Sequence, residues 1–388
     1  MPHPIRVTLI AKFAVFPKHT SLLTMTTPQG IRDYLAQTVT KGGSDLHLTV
    51  GAPPAARVHG SLQALEETSF DASQVRELIL GTMNETQRSK LEDDWELDYA
   101  IEVSGVGRFR GNVHFCRQNI EAVYRYIPAE IPELSTLGHY PILEEICHLQ
   151  RGLVLITGVT GSGKTTTLAS LVRRISEIRS GTIITLEDPI EFSFQHNSSL
   201  IKQREIGRDT KSFSLGLRQC MRQDPDVIVV GELRDRESMQ IAMTAAETGH
   251  LVISTLHTID APKSVERIMD LFPSDQQVQI ASQLSNVLEA IICQRLLPRA
   301  DTDGRVLATE ALRVNSGIQS SLRKRKIEQV VGLMEIARQE GCHTIDDCLE
   351  TLVAHNYITQ EDAIQNCRDP HRFTSCLLYT SPSPRDLH

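Results

Sequence analysis

The run Gly158-Val159-Thr160-Gly161-Ser162-Gly163-Lys164-Thr165 carries the clearest chemistry in this chain. Its spacing, G-x-x-x-x-G-K-[ST], lets successive backbone N–H groups turn inward around phosphate, because glycine tolerates the backbone angles required. Lys164 is placed to contact β and γ phosphates, and the Thr165 hydroxyl to ligate Mg²⁺. The apolar run RGLVLIT precedes the motif and the helical run TTTLASLVRRI follows it, so a phosphate would meet the positive end of a helix. Strand, lysine and helix together exclude a chance glycine-rich turn. The expected ATP-binding set is Gly158, Thr160, Gly161, Ser162, Gly163, Lys164, Thr165 and Thr166.

Three later segments offer groups for hydrolysis. In TLEDPIEF, Glu187, Asp188 and Glu191 cluster at the end of an apolar strand. Such strand ends open into the ligand crevice of an open α/β sheet, where carboxylates hold Mg²⁺ or its waters; a solvated acidic turn is the other reading. In DPDVIVVGELRD an apolar strand ends in Gly231-Glu232, and Glu232 is either a group that orients or deprotonates an attacking water or a surface residue. The usual P-loop pattern has an aspartate there. In ETGHLVISTLHT, His250 and His257 bracket a strand, and each is readable as a packing or capping residue or as a catalytic one.

The elements that must position these groups fall into two patterns. Residues 26–40 read as an amphipathic helix with Ile31, Tyr34, Leu35 and Val39 on one face. DLHLTV alternates as a strand, and a second strand is expected around AARVHGSL. Helices near 71–82 and 84–92 and strands near 95–103, 107–118 and 121–127 complete an α+β domain over 25–127. Pro128, Pro132 and Pro141 punctuate a linker at 128–142. From 143 to 315, buried-looking strands (LVLITG, TIITLE, DVIVVG, LVISTL) alternate with helices, the mark of a mostly parallel sheet covered on both faces. The chain then reads as helical over 316–373.

Bulk properties narrow the function. With 388 residues, 40% apolar and 23% charged, the chain fits a two-domain globular protein. A net charge of −8 gives no overall pull toward nucleic acid, and no nucleic-acid partner is expected. No stretch approaches the roughly 18 apolar residues that span a bilayer. The eight cysteines include no C-x-x-C pair, which argues against a zinc knuckle and suits a reducing cytoplasm. The apolar run VTLIAKFAVF is broken by Lys12 and lacks a following small-residue cleavage site, so residues 1–24 read as an upstream extension rather than a signal peptide. Residues 374–388, which contain LLYTSPSPRDLH, resemble translated adaptor sequence and are expected to stand outside the fold.

The four chemical segments, in this order, resemble the secretion-motor ATPase superfamily of type II secretion and type IV pili. GVTGSGKT corresponds to its Walker A loop, TLEDPIEF to its Asp box, DVIVVGE to its atypical Walker B and TAAETGHLVISTLHT to its His box. Within that superfamily, GGSDLHLTVGAPPAARVHGSL and QREIGRDTKSFSLGLRQCMRQDPDVIVVGELRD resemble pilus retraction ATPases. The resemblance implies a cytoplasmic homo-hexamer, peripheral to the inner face of the membrane, with a PAS-like N-terminal domain and a RecA-like P-loop NTPase domain carrying a helical extension. It implies Glu232 as general base, Glu187 and Glu191 in the Mg²⁺ and water network, and His257 at the γ phosphate. It also implies that Arg110 and Arg125 of the N-terminal domain serve the nucleotide. The implied partners are an inner-membrane pilus platform protein and a paralogous pilus ATPase.

Two stretches depart from the retraction pattern. Arg117 lies one place from where many retraction ATPases have an arginine, as in a paralogous accessory motor, and GIQSSLRKRK at 317–326 stands where they have AIRNLIRE. The expected function is an ATP-driven motor of pilus retraction. An accessory subunit acting mainly with a paralogous motor and a RecA-like nucleic-acid translocase are the competing classes, the latter disfavoured by the charge and by the lack of interleaved basic and aromatic runs.

Overall fold

The computed structural model describes residues 29–374 except 59, 128–129 and 138–140. The extension at 1–24, the first residues of the 26–40 helix and the tail from 375 lie outside the described residues. The chain divides into two units between Tyr126 and Ile127.

Unit 1 opens with α1 (Gln29–Thr40) and β1 (Gly43–Leu48). The helix buries the face its periodicity predicts: Ile31 and Leu35 are fully buried, and Tyr34 and Val39 pack against the same core. The expected single strand around AARVHGSL is a hairpin, β2 (Ala55–Val58) and β3 (Ser61–Ala64). Gly60 at φ 84° makes the reversal, a conformation that a β-branched residue would resist. Next come α2 (Ala72–Leu80) and α3 (Glu85–Asp94), each started by a capping box, Asp71 with Gln74 and Asn84 with Gln87. The meander β4 (Glu96–Val103), β5 (Gly107–Cys116) and β6 (Asn119–Ile127) completes a sheet of order β3-β2-β1-β6-β5-β4. Arg117 and Gln118, both with positive φ, form the tight turn between β5 and β6. Alternation along β6 sends Ala122 and Tyr124 into the core and leaves Arg125 exposed.

Unit 2 contains α4 (Pro141–His148), β7 (Gly152–Thr157), α5 (Lys164–Ile178), β8 (Thr182–Glu187), β9 (Leu200–Glu205), α6 (Phe213–Cys220) and β10 (Val227–Val230). It continues through α7 (Arg236–Glu247), β11 (Leu251–Leu256), α8 (Ala261–Asp270), α9 (Gln277–Val287), β12 (Leu288–Pro298) and β13 (Arg305–Arg313). The helices α10 (Ser316–Arg323), α11 (Val330–Ile336), α12 (Ile345–Ala354), α13 (Gln360–Asn366) and α14 (His371–Thr374) follow, so residue 374 closes a helix rather than opening the tail. The sheet order is β13-β12-β7-β11-β10-β8-β9, parallel except for β13 against β12.

Both faces of this sheet are covered, which is why its central strands read as unbroken apolar runs. On β7, Leu153 and Leu155 join the core beneath α6 to α9, while Val154 and Ile156 join the opposite core against α4 and α5. Each such side chain contributes about 1.5–3 kcal/mol relative to exposure. The C-terminal helices close over a smaller core of Leu297, Ala308, Leu349 and Leu352.

Candidate active site

Strand register assembles the site. In the parallel ladder, Leu256 of β11 pairs with Thr157 of β7, and Val230 of β10 pairs with both Ser254 of β11 and Leu186 of β8. The residues that follow these positions, namely Gly158, Glu187, Gly231-Glu232 and His257, therefore emerge along one edge of the sheet. His250 precedes β11 and sits at the opposite edge, where its Nδ1 lies 3.0 Å from the Ala245 carbonyl in the last turn of α7. Of the two histidines that bracket this strand, His257 is the one at the end that carries the phosphate loop.

The loop between β7 and α5 has the shape its glycines predict. Gly158, Gly161 and Gly163 adopt φ of 145°, 80° and 91°. A Cβ at Gly158 would stand 2.5 Å from both the Gln294 carbonyl oxygen and Ser162 Oγ. Gly163 caps α5 and has no side chain to satisfy the first-turn amides. Lys164 is buried, and its Nζ donates to the carbonyls of Gly158 at 2.8 Å and Val159 at 3.0 Å. Burial pushes its ammonium below the ordinary lysine range, opposed by the charges of Glu232 and Glu191, so both carboxylates lie within electrostatic reach of Nζ.

The carboxylates are individually held. Glu232 receives Arg234 Nε on Oε1 at 2.5 Å and faces His257 Nε2 from Oε2 at 3.3 Å, with its side chain only 14% exposed. Glu187 accepts from Thr185 Oγ1 at 2.6 Å and from Gln203 Nε2 at 3.0 Å. Gln203 also donates to the Phe192 carbonyl and accepts from the Phe194 amide, while Glu205 accepts from the Ile190 amide. Strand β9 thus clamps the loop that carries Glu191.

Sequence reasoning missed β9 and its two polar anchors. Gln203 and Glu205 occupy inward positions that an apolar alternation would fill, and their partners belong to another strand's loop. It also missed Gln294, fully buried on β12, which donates to Thr167 Oγ1 at 2.7 Å and pins the first turn of α5. Its apolar neighbours in EAIICQRLLP were the available signal.

The donor set fits a nucleotide with its metal. Ser162 Oγ is buried without a hydrogen-bond partner at the rim of the glycine cradle, as expected of a group whose acceptor is a ligand oxygen. Among the described residues no group of three or more His, Cys, Asp or Glu converges into a dedicated cage. Mg²⁺ characteristically uses one or two carboxylates plus phosphate and water, so the set expected for it, Thr165 with Glu187 and Glu191, calls for no such cage.

Arg110 and Arg125 lie in unit 1. Arg125 Nε pairs with Asp45 Oδ1 at 2.9 Å, and Arg110 Nη2 lies 3.6 Å from Asp98 Oδ2. Both stand on the sheet face opposite the core.

The chain matches the model of the type II/IV secretion system protein family over residues 31–368. It is 40% identical to the type IV pilus retraction ATPase PilT of Pseudomonas aeruginosa over 343 residues, covering 88% of this chain and 99% of that protein. It is equally 40% identical to the type IV pilus ATPase PilU of the same organism over 349 residues, 90% of this chain and 91% of that one. The crystal structure of the pilus retraction motor PilT with bound ADP superposes with a TM-score of 0.82 at 44% identity, covering 88% of this chain and 98% of that one. With a fold, a P-loop and a match over most of the chain that all agree, the chain belongs to the type II/IV secretion system protein family.

Proposed function

We propose that this protein is an ATPase that powers retraction of a type IV pilus as a hexameric ring. The observation that carries the reading is the alignment of Gly158, Glu187, Glu232 and His257 at one sheet edge, in a chain matched along nearly its whole length by a retraction ATPase. ATP is the substrate. Lys164 and the first amides of α5 hold its phosphates, with Gly158, Thr160, Gly161, Ser162, Gly163 and Thr166 shaping the cradle. Thr165, Glu187 and Glu191 would hold Mg²⁺, which would supply positive charge to neutralise the phosphates. Glu232 orients the attacking water and takes its proton as the bond to the γ phosphorus forms and the β–γ bridging bond breaks. His257, against Glu232, keeps that carboxylate aimed, and is assigned a γ-phosphate contact on the strength of the resemblance.

Arg110 and Arg125 are assigned to the charge that develops during turnover in the assembled ring, on the strength of the resemblance. The six-stranded sheet of unit 1, with its helices packed on one face, supports a PAS-like reading, and unit 2 supports a RecA-like one with a helical C-terminal extension. No helix among the described residues is long and apolar enough to cross a membrane. The likeness to pilus retraction ATPases supports a peripheral cytoplasmic site beneath an inner-membrane platform protein, the partner through which the ring would act.

A second reading is an accessory motor working with a paralogous ATPase, favoured by the equal identity to PilU. ATP turnover by the purified protein separates the two. Turnover within the ordinary enzyme range supports an autonomous motor, and turnover that needs a paralogue supports the accessory role.

A further inference from the structure

Away from the nucleotide loop, unit 2 holds a buried carboxylate that the chemistry above does not use. Glu310, on β13, is 1% exposed. Its Oε1 accepts the amide of Ala261, the first residue of α8, at 2.8 Å. Arg368 Nη2 donates to Oε2 at 3.1 Å and lies 4.0 Å from Asp260, the cap of α8. Asp346 in turn accepts the backbone amides of Arg368 and Asp369, which fixes the segment that carries the guanidinium. A single buried carboxylate therefore holds the start of α8, and an arginine anchored by Asp346 of α12 balances it.

Its place in the sheet gives this arrangement a direction. Glu310 pairs in register with Cys293 of β12, Cys293 pairs with Thr157 of β7, and Thr157 pairs with Leu256 of β11. This row holds the last residue before the phosphate loop and the last residue before His257. From His257 only Thr258, Ile259 and Asp260 remain before the Ala261 amide that Glu310 holds. Asp260 Oδ1 caps Lys263 N at 2.8 Å, and Thr258 Oγ1 meets Ser264 Oγ at 2.5 Å. The four-residue loop is thus anchored at one end by the sheet and at the other by Glu310. Burial raises the Glu310 carboxyl above its ordinary range, opposed by the Ala261 amide and by Arg368, the two donors that offset the cost of burying it.

We propose that Glu310 and Arg368 are positioning residues for His257, holding the loop from His257 to Ala261 so that the imidazole stays against Glu232. The proposal rests on the assignment of His257 and Glu232 to ATP hydrolysis. It also ties the C-terminal helices to the site, because Arg368 follows α13 and is held by Asp346 of α12.

The test is a double-mutant cycle on the full chain. Glu310→Gln keeps the side-chain shape but presents an amide to donors, and Arg368→Gln removes the balancing charge from a partly exposed position where folding is safer. Each is expected to lower kcat about tenfold with ATP affinity unchanged, since a misplacement of about 1 Å in a catalytic group can cost 10²-fold. In a His257→Ala background neither should lower kcat further, and Arg368→Lys should recover most of the loss. Equal fractional losses with and without His257, or loss of ATP affinity in step with kcat, would overturn the proposal in favour of a general structural role. Amide hydrogen exchange over residues 257–264 gives a reading independent of turnover. Arg368→Gln should speed it about tenfold, and unchanged exchange refutes the anchoring even if the wild-type protein does not hydrolyse ATP.

Discussion

Glu232 Oε2 and His257 Nε2 stand 3.3 Å apart although they lie 25 positions apart in the chain, because β10 and β11 are adjacent parallel strands whose register sets Val230 beside Ser254. Glu232 is the more enclosed of the two, at 14% side-chain exposure against 50%. An enclosed carboxylate backed by an imidazole is suited to holding one water and accepting one proton. Glu232→Gln preserves shape and removes basicity, so ATP should still bind while turnover falls by about 10²-fold or more. Persistent turnover in that variant, together with its loss in Glu191→Gln, would exchange the roles of the two carboxylates.

Lys164→Ala removes the only lysine in the phosphate loop. Turnover should drop to background while the circular dichroism spectrum stays that of the wild type. Normal turnover in a folded Lys164→Ala protein would place the phosphates elsewhere.

Gly158→Ala tests the cradle itself. The added methyl would meet the Gln294 carbonyl oxygen and Ser162 Oγ at 2.5 Å, at a φ of 145° that non-glycine residues avoid. A cost of about 2 kcal/mol or more is expected, with weakened binding of a fluorescent ATP analogue. Chemical denaturation measures the first effect and a titration the second.

The acid side of the stability profile should depend on Asp347. Burial would raise its carboxyl, but Arg372, Thr344 and Arg338 together hold it below the ordinary aspartate range. A folded-state value below the unfolded one stabilises above the unfolded pKa, and that contribution is lost as pH falls through the folded value. Asp347→Asn should lower the melting temperature at pH 7, and the gap to wild type should close as pH drops below the aspartate range. A gap that persists at low pH would show that the capping hydrogen bonds at Thr344, not the charge, carry the effect.

Ring assembly predicts concentration dependence. Specific ATPase activity should rise with protein concentration in parallel with light scattering, and Arg110→Ala should depress kcat far more than nucleotide affinity. Constant specific activity in a monomeric sample counts against a shared ring.

The phosphate loop was legible in the amino-acid sequence because its chemistry is local: eight consecutive residues specify the turn, the charge and the helix start. The buried strands β7, β8, β10 and β11 were legible because a sheet covered on both faces demands unbroken apolar runs. The α1 face was legible because its period is that of the helix. What tertiary structure alone decided is where long-range polar partners meet. Gln203, Glu205, Gln294 and Glu310 sit at inward positions of β9, β12 and β13, and their partners lie up to 127 residues away. Read along the chain, such residues only interrupt an apolar pattern. Spacing alone left His250 and His257 open, since both flank the same strand, and only the family resemblance pointed to His257. Parallel pairing sets His257 at the strand end beside the phosphate loop and His250 at the other end.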